Sequence, residues 1–95
     1  MDTQIRKKLR TKAHSLKPVI MIGQNGLTEA VLAEINLALN HHELIKIRVR
    51  TADREARKQM TAEICLQTEA ELIQSIGQIA VLYRKDSVPA NPLYT

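Results

Sequence analysis

A four-residue apolar run, Val19 to Ile22, lies between Pro18 and Gly23 and constrains the fold of this chain more than any other feature. Pro18 ends a helix and Gly23 interrupts regular structure, so the run suits a short buried strand. The segments on both sides instead carry apolar residues at helical spacing. A change of period in this order is typical of an α/β domain.

Three segments have the helical period. The first extends from about Thr3 to Lys17, with an apolar stripe of Ile5, Leu9, Ala13 and Leu16. At 100° per residue, one flank of this helix carries Arg6, Arg10 and Lys17. Thr28 is the predicted N-cap of the second helix and Asp53 that of the third, which extends to about Gln67.

Three further segments are predicted as strands. Residues 44–50 alternate between two sets, Ile45, Ile47 and Val49 on one face and Lys46, Arg48 and Arg50 on the other. Residues 71–76 and 79–84 form a hairpin around Gly77-Gln78. The predicted order is α-β-α-β-α-β-β with a four-stranded mixed sheet. The sequence does not determine which face of the sheet each helix covers.

Length and composition indicate one small domain without a cofactor. The chain has 95 residues, and its aliphatic core contains no Phe or Trp, which disfavours a platform of stacked aromatics. A single cysteine, Cys65, excludes an internal disulfide. No signal-peptide pattern and no apolar run of about 20 residues is present, so we expect a cytoplasmic protein with no membrane partner. Residues 1–85 form the predicted domain, and residues 86–95 a mobile tail.

Positive charge is gathered in two blocks of the chain. The net charge is +4, and residues 27–42 and 61–76 contain no Lys or Arg. The first block consists of Arg6, Lys7, Lys8, Arg10, Lys12 and Lys17, and the second of Lys46, Arg48, Arg50, Arg54, Arg57 and Lys58. This distribution suits a surface that meets a polyanion, and it suits ordinary solvated faces equally well.

The loop Gly23-Gln24-Asn25-Gly26 joins the first strand to the second helix. Its two glycines allow a sharp turn with little side-chain cover, and the N–H groups of the following helix attract anions. A sugar–phosphate backbone approaches a loop of this GxxG type in KH domains. The four residues alone also fit a plain turn, and they match neither a Walker loop nor a dinucleotide fingerprint.

Four blocks in order resemble a known family. They are Ala13-His14-Ser15-Leu16-Lys17-Pro18, then Ile22 to Thr28, then His42-Glu43-Leu44-Ile45-Lys46, and finally Ile76-Gly77 with Val81-Leu82-Tyr83-Arg84. Across about residues 3–85 the chain is similar to the CRM domain (chloroplast RNA splicing and ribosome maturation), and to its free-standing bacterial YhbY type. Three features depart from the family pattern: uncharged Gln24 and Asn25, Gln78 in place of a basic residue, and no glycine in residues 67–70.

The resemblance implies a fold, a partner and a site. The fold would be a two-layer α/β domain like the C-terminal domain of bacterial translation initiation factor three. The partner would be ribosomal RNA in precursors of the large subunit, with no small-molecule substrate and no catalysis. The family's GxxG loop and basic surface correspond to residues 23–26, the first helix and the strand of Lys46. On this basis our hypothesis for the RNA-binding residues is Arg6, Arg10, Lys17, Gly23, Gln24, Asn25, Gly26, Lys46, Arg48 and Arg84.

Other classes of function remain open at this point. The basic faces could instead dock on an acidic protein, and duplex DNA would be a further polyanion. An enzyme is disfavoured because His14, His41 and His42 have no nucleophile or paired carboxylates at a recognisable spacing. Adjacent His41 and His42 point about 100° apart on a helix and lack a third ligand, so we predict no metal site.

Overall fold

Seven elements follow one another in the predicted order. The structure is a computed structural model and describes residues 2–23, 25–51 and 53–85. The tail predicted for residues 86–95 lies outside the described residues. The elements are α1 (Thr3–Ala13), β1 (Ile20–Ile22), α2 (Glu29–His42), β2 (Leu44–Val49), α3 (Arg54–Thr68), β3 (Glu71–Ile76) and β4 (Ile79–Tyr83).

The predicted caps of α2 and α3 are confirmed. The Thr28 hydroxyl accepts from the backbone N–H of Val31 at 3.2 Å, and an Asp53 carboxylate oxygen accepts from that of Glu55 at 3.0 Å. Each side chain satisfies a backbone donor that the first turn of a helix cannot pair internally. Both helices therefore begin directly after the predicted capping residues.

Helix α1 ends at Ala13, four residues before the predicted end at Lys17. The last bonds are of the tighter i to i+3 kind, from His14 N–H to Thr11 O and from Leu16 N–H to Ala13 O. The residue before a proline avoids helical geometry. The chain then turns so that the N–H of Val19 donates to the carbonyl of Lys46 in β2.

The four strands form one mixed sheet in the order β1-β2-β4-β3. β1 and β2 are parallel, with Ile22 opposite Val49, and the other neighbours are antiparallel. A β-bulge interrupts β3, because Leu72 lies opposite Leu82 whereas Gln74 lies opposite Val81. The mixed sheet predicted from the element order is confirmed.

Helices cover both faces of this sheet, and they do so unequally. The larger core lies between the sheet and helices α2 and α3, and consists of Ile22, Ile35, Leu39, Ile45, Ile47, Val49, Ile64, Ala80 and Leu82. The smaller cluster under α1 consists of Ala13, Leu44, Ile73 and Val81, with Leu9, Leu16 and Tyr83 packed against it. Val81 lies between Ala80 and Leu82, so the two clusters occupy opposite faces. The sheet with α2 and α3 forms the two expected layers, and α1 adds a partial third.

Candidate functional site

The GxxG loop begins where β1 ends and turns tightly. The N–H of Gly26 donates to the carbonyl of Gly23 at 3.0 Å, and Asn25 between them is exposed. Gln24, which the sequence analysis includes in the site, lies outside the described residues. The described part of the loop therefore presents backbone and the Asn25 side chain at the end of the sheet.

The two glycines of this loop differ in what their positions require. Gly26 has φ +74°, a conformation that residues with a Cβ atom rarely adopt. A Cβ atom on Gly26 would lie 3.8 Å from Met60 Cε, which is ordinary contact, so the constraint is the dihedral angle. A Cβ atom on Gly23 would meet nothing within 4 Å. The requirement for glycine in the turn therefore applies to Gly26, while Gly23 leaves open space beside the loop.

The N-terminus of α2, which follows the loop, already has two compensating groups. The Thr28 hydroxyl accepts from Val31 N–H, and Glu29 places a carboxylate in the first turn. A carboxylate at this position offsets the positive end of the helix dipole. The attraction for an anion at this helix end is correspondingly reduced.

The basic residues of β2 lie on the sheet face that α1 covers only in part. Ile45, Ile47 and Val49 are buried on the opposite face, whereas Lys46 and Arg48 are half-buried. The strand pairings place Met21, Arg48, Ile79 and Ile76 in one row across all four strands. The next row toward α1 contains Lys46, Val81 and Gln74. We call these two rows the open sheet face.

Lys17 reaches the open sheet face by a route that the sequence did not predict. It was expected on the flank of α1, but it follows the helix and lies in the connection to β1. There it lines a shallow depression together with Met21, Arg48 and Arg50. Early termination of α1 therefore brings Lys17 to the basic residues of β2. A neighbouring depression is lined by Lys17 together with Lys12 of α1 and Lys46.

Arg50 connects the open sheet face to the loop. Its backbone N–H donates to the carbonyl of Ile22, the last residue before the loop, at 2.8 Å. Its guanidinium Nη1 lies 3.7 Å from the sulfur of Met21 in the neighbouring strand. Arg50 was predicted on the face of Lys46 and Arg48 but not as a site residue, although the alternation of β2 already grouped the three side chains.

Arg6 and Arg84 lie at the other end of the sheet. The loop shares its end with the β3–β4 hairpin, because Val49 N–H donates to Gln78 O at 2.7 Å. Arg6 donates from Nη2 to the carbonyl of Leu72, near the start of β3, at 2.7 Å. The Arg84 guanidinium makes four hydrogen bonds within the protein, to oxygens of Asn36, Asn40 and Thr68. The structure therefore does not bring these two arginines to the loop.

Arg10 lies within α1, as predicted, and is half-buried one turn after Arg6. Because α1 ends at Ala13, Lys17 does not share a helical flank with Arg10, contrary to the prediction.

A second basic surface lies on the α3 side of the domain. Arg54, Arg57 and Lys58 line a groove between α3 and the hairpin, with Ser75 and Gly77 on the opposite wall. Arg57 donates to the carbonyl of Thr51 at 2.6 Å, which fixes one of its guanidinium nitrogens. These three cations belong to the second charge block of the sequence. The sequence did not show that they lie on a different face of the domain from Lys46, Arg48 and Arg50.

The described residues contain no features of a metal site or a transmembrane helix. Over residues 2–23, 25–51 and 53–85, no three His, Cys, Asp or Glu side chains are grouped so that they could hold a metal ion. The His41 and His42 rings lie 6.1 Å apart between centroids and are tilted by 50°. Within the same residues, no helix has the length and apolar character needed to cross a bilayer.

The family model of the CRS1/YhbY (CRM) domain matches residues 1–84. The chain belongs to this family. The match covers every helix and strand of the structure, so the resemblance based on four short blocks is confirmed over the whole domain. The fold of this CRM domain is also found in a solved structure, the solution structure of a Staphylococcus aureus protein. That structure has a TM-score of 0.79 and 29% identity, covering 98% of this chain and 95% of the other.

Bacterial relatives of this CRM domain carry names that describe binding, not catalysis. An RNA-binding protein of Haemophilus influenzae is 52% identical over 84 residues, which are 88% of this chain and 85% of the relative. A protein of Pseudomonas aeruginosa named probable RNA-binding protein is 46% identical over 84 residues, 88% and 81% of the two chains. Since the alignments span most of each relative, those proteins also consist largely of one CRM domain.

Proposed function

We propose that this CRM domain binds ribosomal RNA in precursors of the large ribosomal subunit, and that it contacts the RNA through the GxxG loop and the basic side of the open sheet face. The observation that carries the proposal is the convergence of Lys17, Lys46, Arg48 and Arg50 on one exposed surface next to the loop. The family and the names of the bacterial relatives support RNA as the partner.

The physical basis is neutralisation of a phosphate backbone. Long basic side chains contact phosphate oxygens, and each contact releases a condensed counterion, so affinity depends on salt. Open space beside Gly23 lets the sugar–phosphate chain approach the loop, where Asn25 is exposed and can form a hydrogen bond. Such contacts recognise backbone and shape more than base sequence.

The proposed site differs in part from the residues that the sequence suggested. We assign phosphate contacts to Lys17, Lys46, Arg48 and Arg50, with Arg10 extending the surface along α1. Backbone contacts are assigned to the loop, residues 23–26. Arg6 and Arg84 receive structural roles instead, because their guanidinium groups hydrogen-bond to Leu72 and to the ends of α2 and α3.

The experiment that tests this site is a titration of labelled large-subunit ribosomal RNA fragments at several salt concentrations. One variant carries Arg48→Glu and Arg50→Glu, and a loop variant carries Gln24→Asp and Asn25→Asp. The matched control carries Lys7→Glu and Lys8→Glu, two exposed positions on α1, and has the same net charge as the first variant. Circular dichroism confirms that each protein is folded.

We expect the wild type to bind with a salt slope of about −0.7 per phosphate contacted on single strands. The sheet and loop variants should lose at least about tenfold in affinity, and the α1 control much less. Equal losses in all three variants would mean that binding follows net charge and not this surface. No RNA binding by the wild type, together with retention on ribosomal particles, would favour docking on an acidic protein and overturn the proposal.

A further inference from the structure

A groove between the end of α1 and the open sheet face shares Lys46 with the proposed phosphate contacts, but its apolar floor has no role in them. We propose that it receives one unpaired nucleobase of the bound RNA, which would add a base contact to the backbone contacts. The inference rests on the proposed function, because the base arrives as part of the same RNA. The groove measures about 200 Å³, less than the roughly 300–1,000 Å³ of a typical ligand site. It therefore has room for a single ring system.

The floor of the groove is apolar although it faces outward. It is formed by Ile76, Ile79 and Val81 of the hairpin strands, with Ala13 of α1 at one end. Ile76 is 62% exposed, and the side chain of Ile79 is half-buried in the same row. A concave apolar surface with a few polar groups at its rim is the usual form of a site for a planar organic group.

The β-bulge in β3 creates this floor. Leu72 packs against the larger core and Ile73 belongs to the cluster under α1, so strict alternation would return the side chains of residues 74 and 76 to the larger core. The register shift between Leu72 and Gln74 instead turns both Gln74 and Ile76 to the open sheet face. A bulge disrupts the ladder, and bulges that re-aim a side chain are frequent beside functional sites.

The rim of the groove carries the three groups that a nucleotide needs. His14 offers an aromatic ring, Gln74 an amide that both donates and accepts hydrogen bonds, and Lys46 an ammonium group. Lys46 and Gln74 lie on either side of Val81, two strand spacings or about 10 Å apart. An aromatic or apolar surface for the ring and a hydrogen-bonding side chain for its edge are how proteins recognise splayed RNA bases.

Charge favours a nucleotide over an uncharged occupant. Lys46 lies on the groove rim and Arg48 and Lys17 lie just beyond it on the proposed phosphate surface. An RNA chain bound through its phosphates would hold its bases within reach of the apolar floor. The groove and the basic surface are therefore continuous parts of one interface.

The test uses the full chain and compares single-stranded ribosomal RNA fragments with the same fragments carrying abasic nucleotides. The variant Ile76→Ser removes the most exposed part of the floor. The matched control is Leu66→Ser on α3, where the leucine is 73% exposed on the other side of the domain. Because both positions are exposed, both variants should fold, and thermal unfolding checks this.

We expect the wild type to bind intact RNA about tenfold more tightly than abasic RNA, because burying the apolar area that one base covers on this floor is worth about this much. Ile76→Ser should remove the difference and leave the salt slope unchanged, whereas Leu66→Ser should behave as the wild type. Titration with nucleoside monophosphates should move the methyl NMR signals of Ile76, Ile79 and Val81.

Two results would overturn the inference in distinguishable ways. Salt-dependent binding of RNA by the wild type without discrimination against abasic RNA, or with Ile76→Ser unchanged, refutes the base site and leaves the proposed function intact. No salt-dependent RNA binding by the wild type refutes both.

Discussion

Arg84 binds both oxygens of Asn36. Its Nη1 donates to Asn36 Oδ1 at 2.7 Å, and its Nη2 donates to the Asn36 backbone carbonyl at 3.1 Å. The same guanidinium donates to Thr68 O at 2.8 Å and to Asn40 Oδ1 at 2.8 Å. One side chain after the last strand thus fastens the C-terminal halves of α2 and α3 to the sheet.

Arg84→Ala should lower the free energy of unfolding by about 2 kcal/mol, because several partners of a charged donor lose their hydrogen bonds at once. Urea unfolding followed by circular dichroism measures the change. Lys85→Ala, at the exposed neighbouring position, is the control and should cost little. Below the melting temperature, affinity for RNA should change less than twofold. A large loss of RNA affinity with unchanged stability would instead place Arg84 at the interface.

Glu69→Gly should stabilise the protein. Glu69 is the C-cap of α3 and has φ 59° and ψ 33°, the left-handed conformation that glycine adopts without strain. Glycine would remove the strain energy of the folded state, although its greater conformational entropy would also stabilise the unfolded chain. We expect a net gain of about 0.5 kcal/mol in the free energy of unfolding, which raises the melting temperature by roughly 2–4 °C. The missing glycine noted in residues 67–70 is therefore the reason for a strained cap.

The control for Glu69→Gly is Ala62→Gly, at an exposed position inside the same helix. There glycine should lower stability by about 1 kcal/mol, because helical geometry gives it no advantage. Thermal unfolding of both variants should give shifts of opposite sign. A lower melting temperature for both would show that the cap conformation is not strained.

Alanine substitutions at the two loop glycines should have unequal effects on stability. Gly26→Ala places a residue with a Cβ atom at φ +74° and should lower the free energy of unfolding by about 1 kcal/mol. Gly23→Ala should leave stability within about 0.5 kcal/mol, since its Cβ atom would meet nothing within 4 Å. Chemical denaturation distinguishes them. Equal losses of stability in the two variants would contradict the difference in backbone geometry. Because Gly23→Ala should stay folded, its affinity for RNA can also test how closely RNA approaches the loop.

The Cys65 thiol should react slowly in the folded protein. Burial raises its pKa above the usual 9.0, and the nearby Glu71 carboxylate raises the pKa further. Since the thiolate is the reactive form, alkylation by iodoacetamide at pH 7.5 should be much slower in buffer than in urea. Equal rates in the two conditions would contradict the burial of this side chain.

The raised pKa of Cys65 also predicts that stability falls as the pH rises. Between the pKa of the unfolded chain and the higher pKa of the folded protein, the folded state holds a proton that the unfolded state has released. Stability from this group is therefore complete below about pH 9 and is lost as the pH rises through the folded value. Urea unfolding of the wild type should show a larger loss between pH 8 and pH 10 than Cys65→Ala.

The element order, the caps at Thr28 and Asp53 and the alternation of β2 could all be predicted from the sequence, because each depends on neighbours a few residues apart. Three other features depend on contacts between distant parts of the chain. They are the residue at which α1 ends, the bulge that turns Gln74 and Ile76 outward, and the hydrogen-bond partners of Arg6 and Arg84. A charge pattern records which residues are basic, but whether a guanidinium contacts solvent or a carbonyl depends on which element packs beside it. For Arg84 that carbonyl belongs to Asn36, 48 positions earlier in the chain.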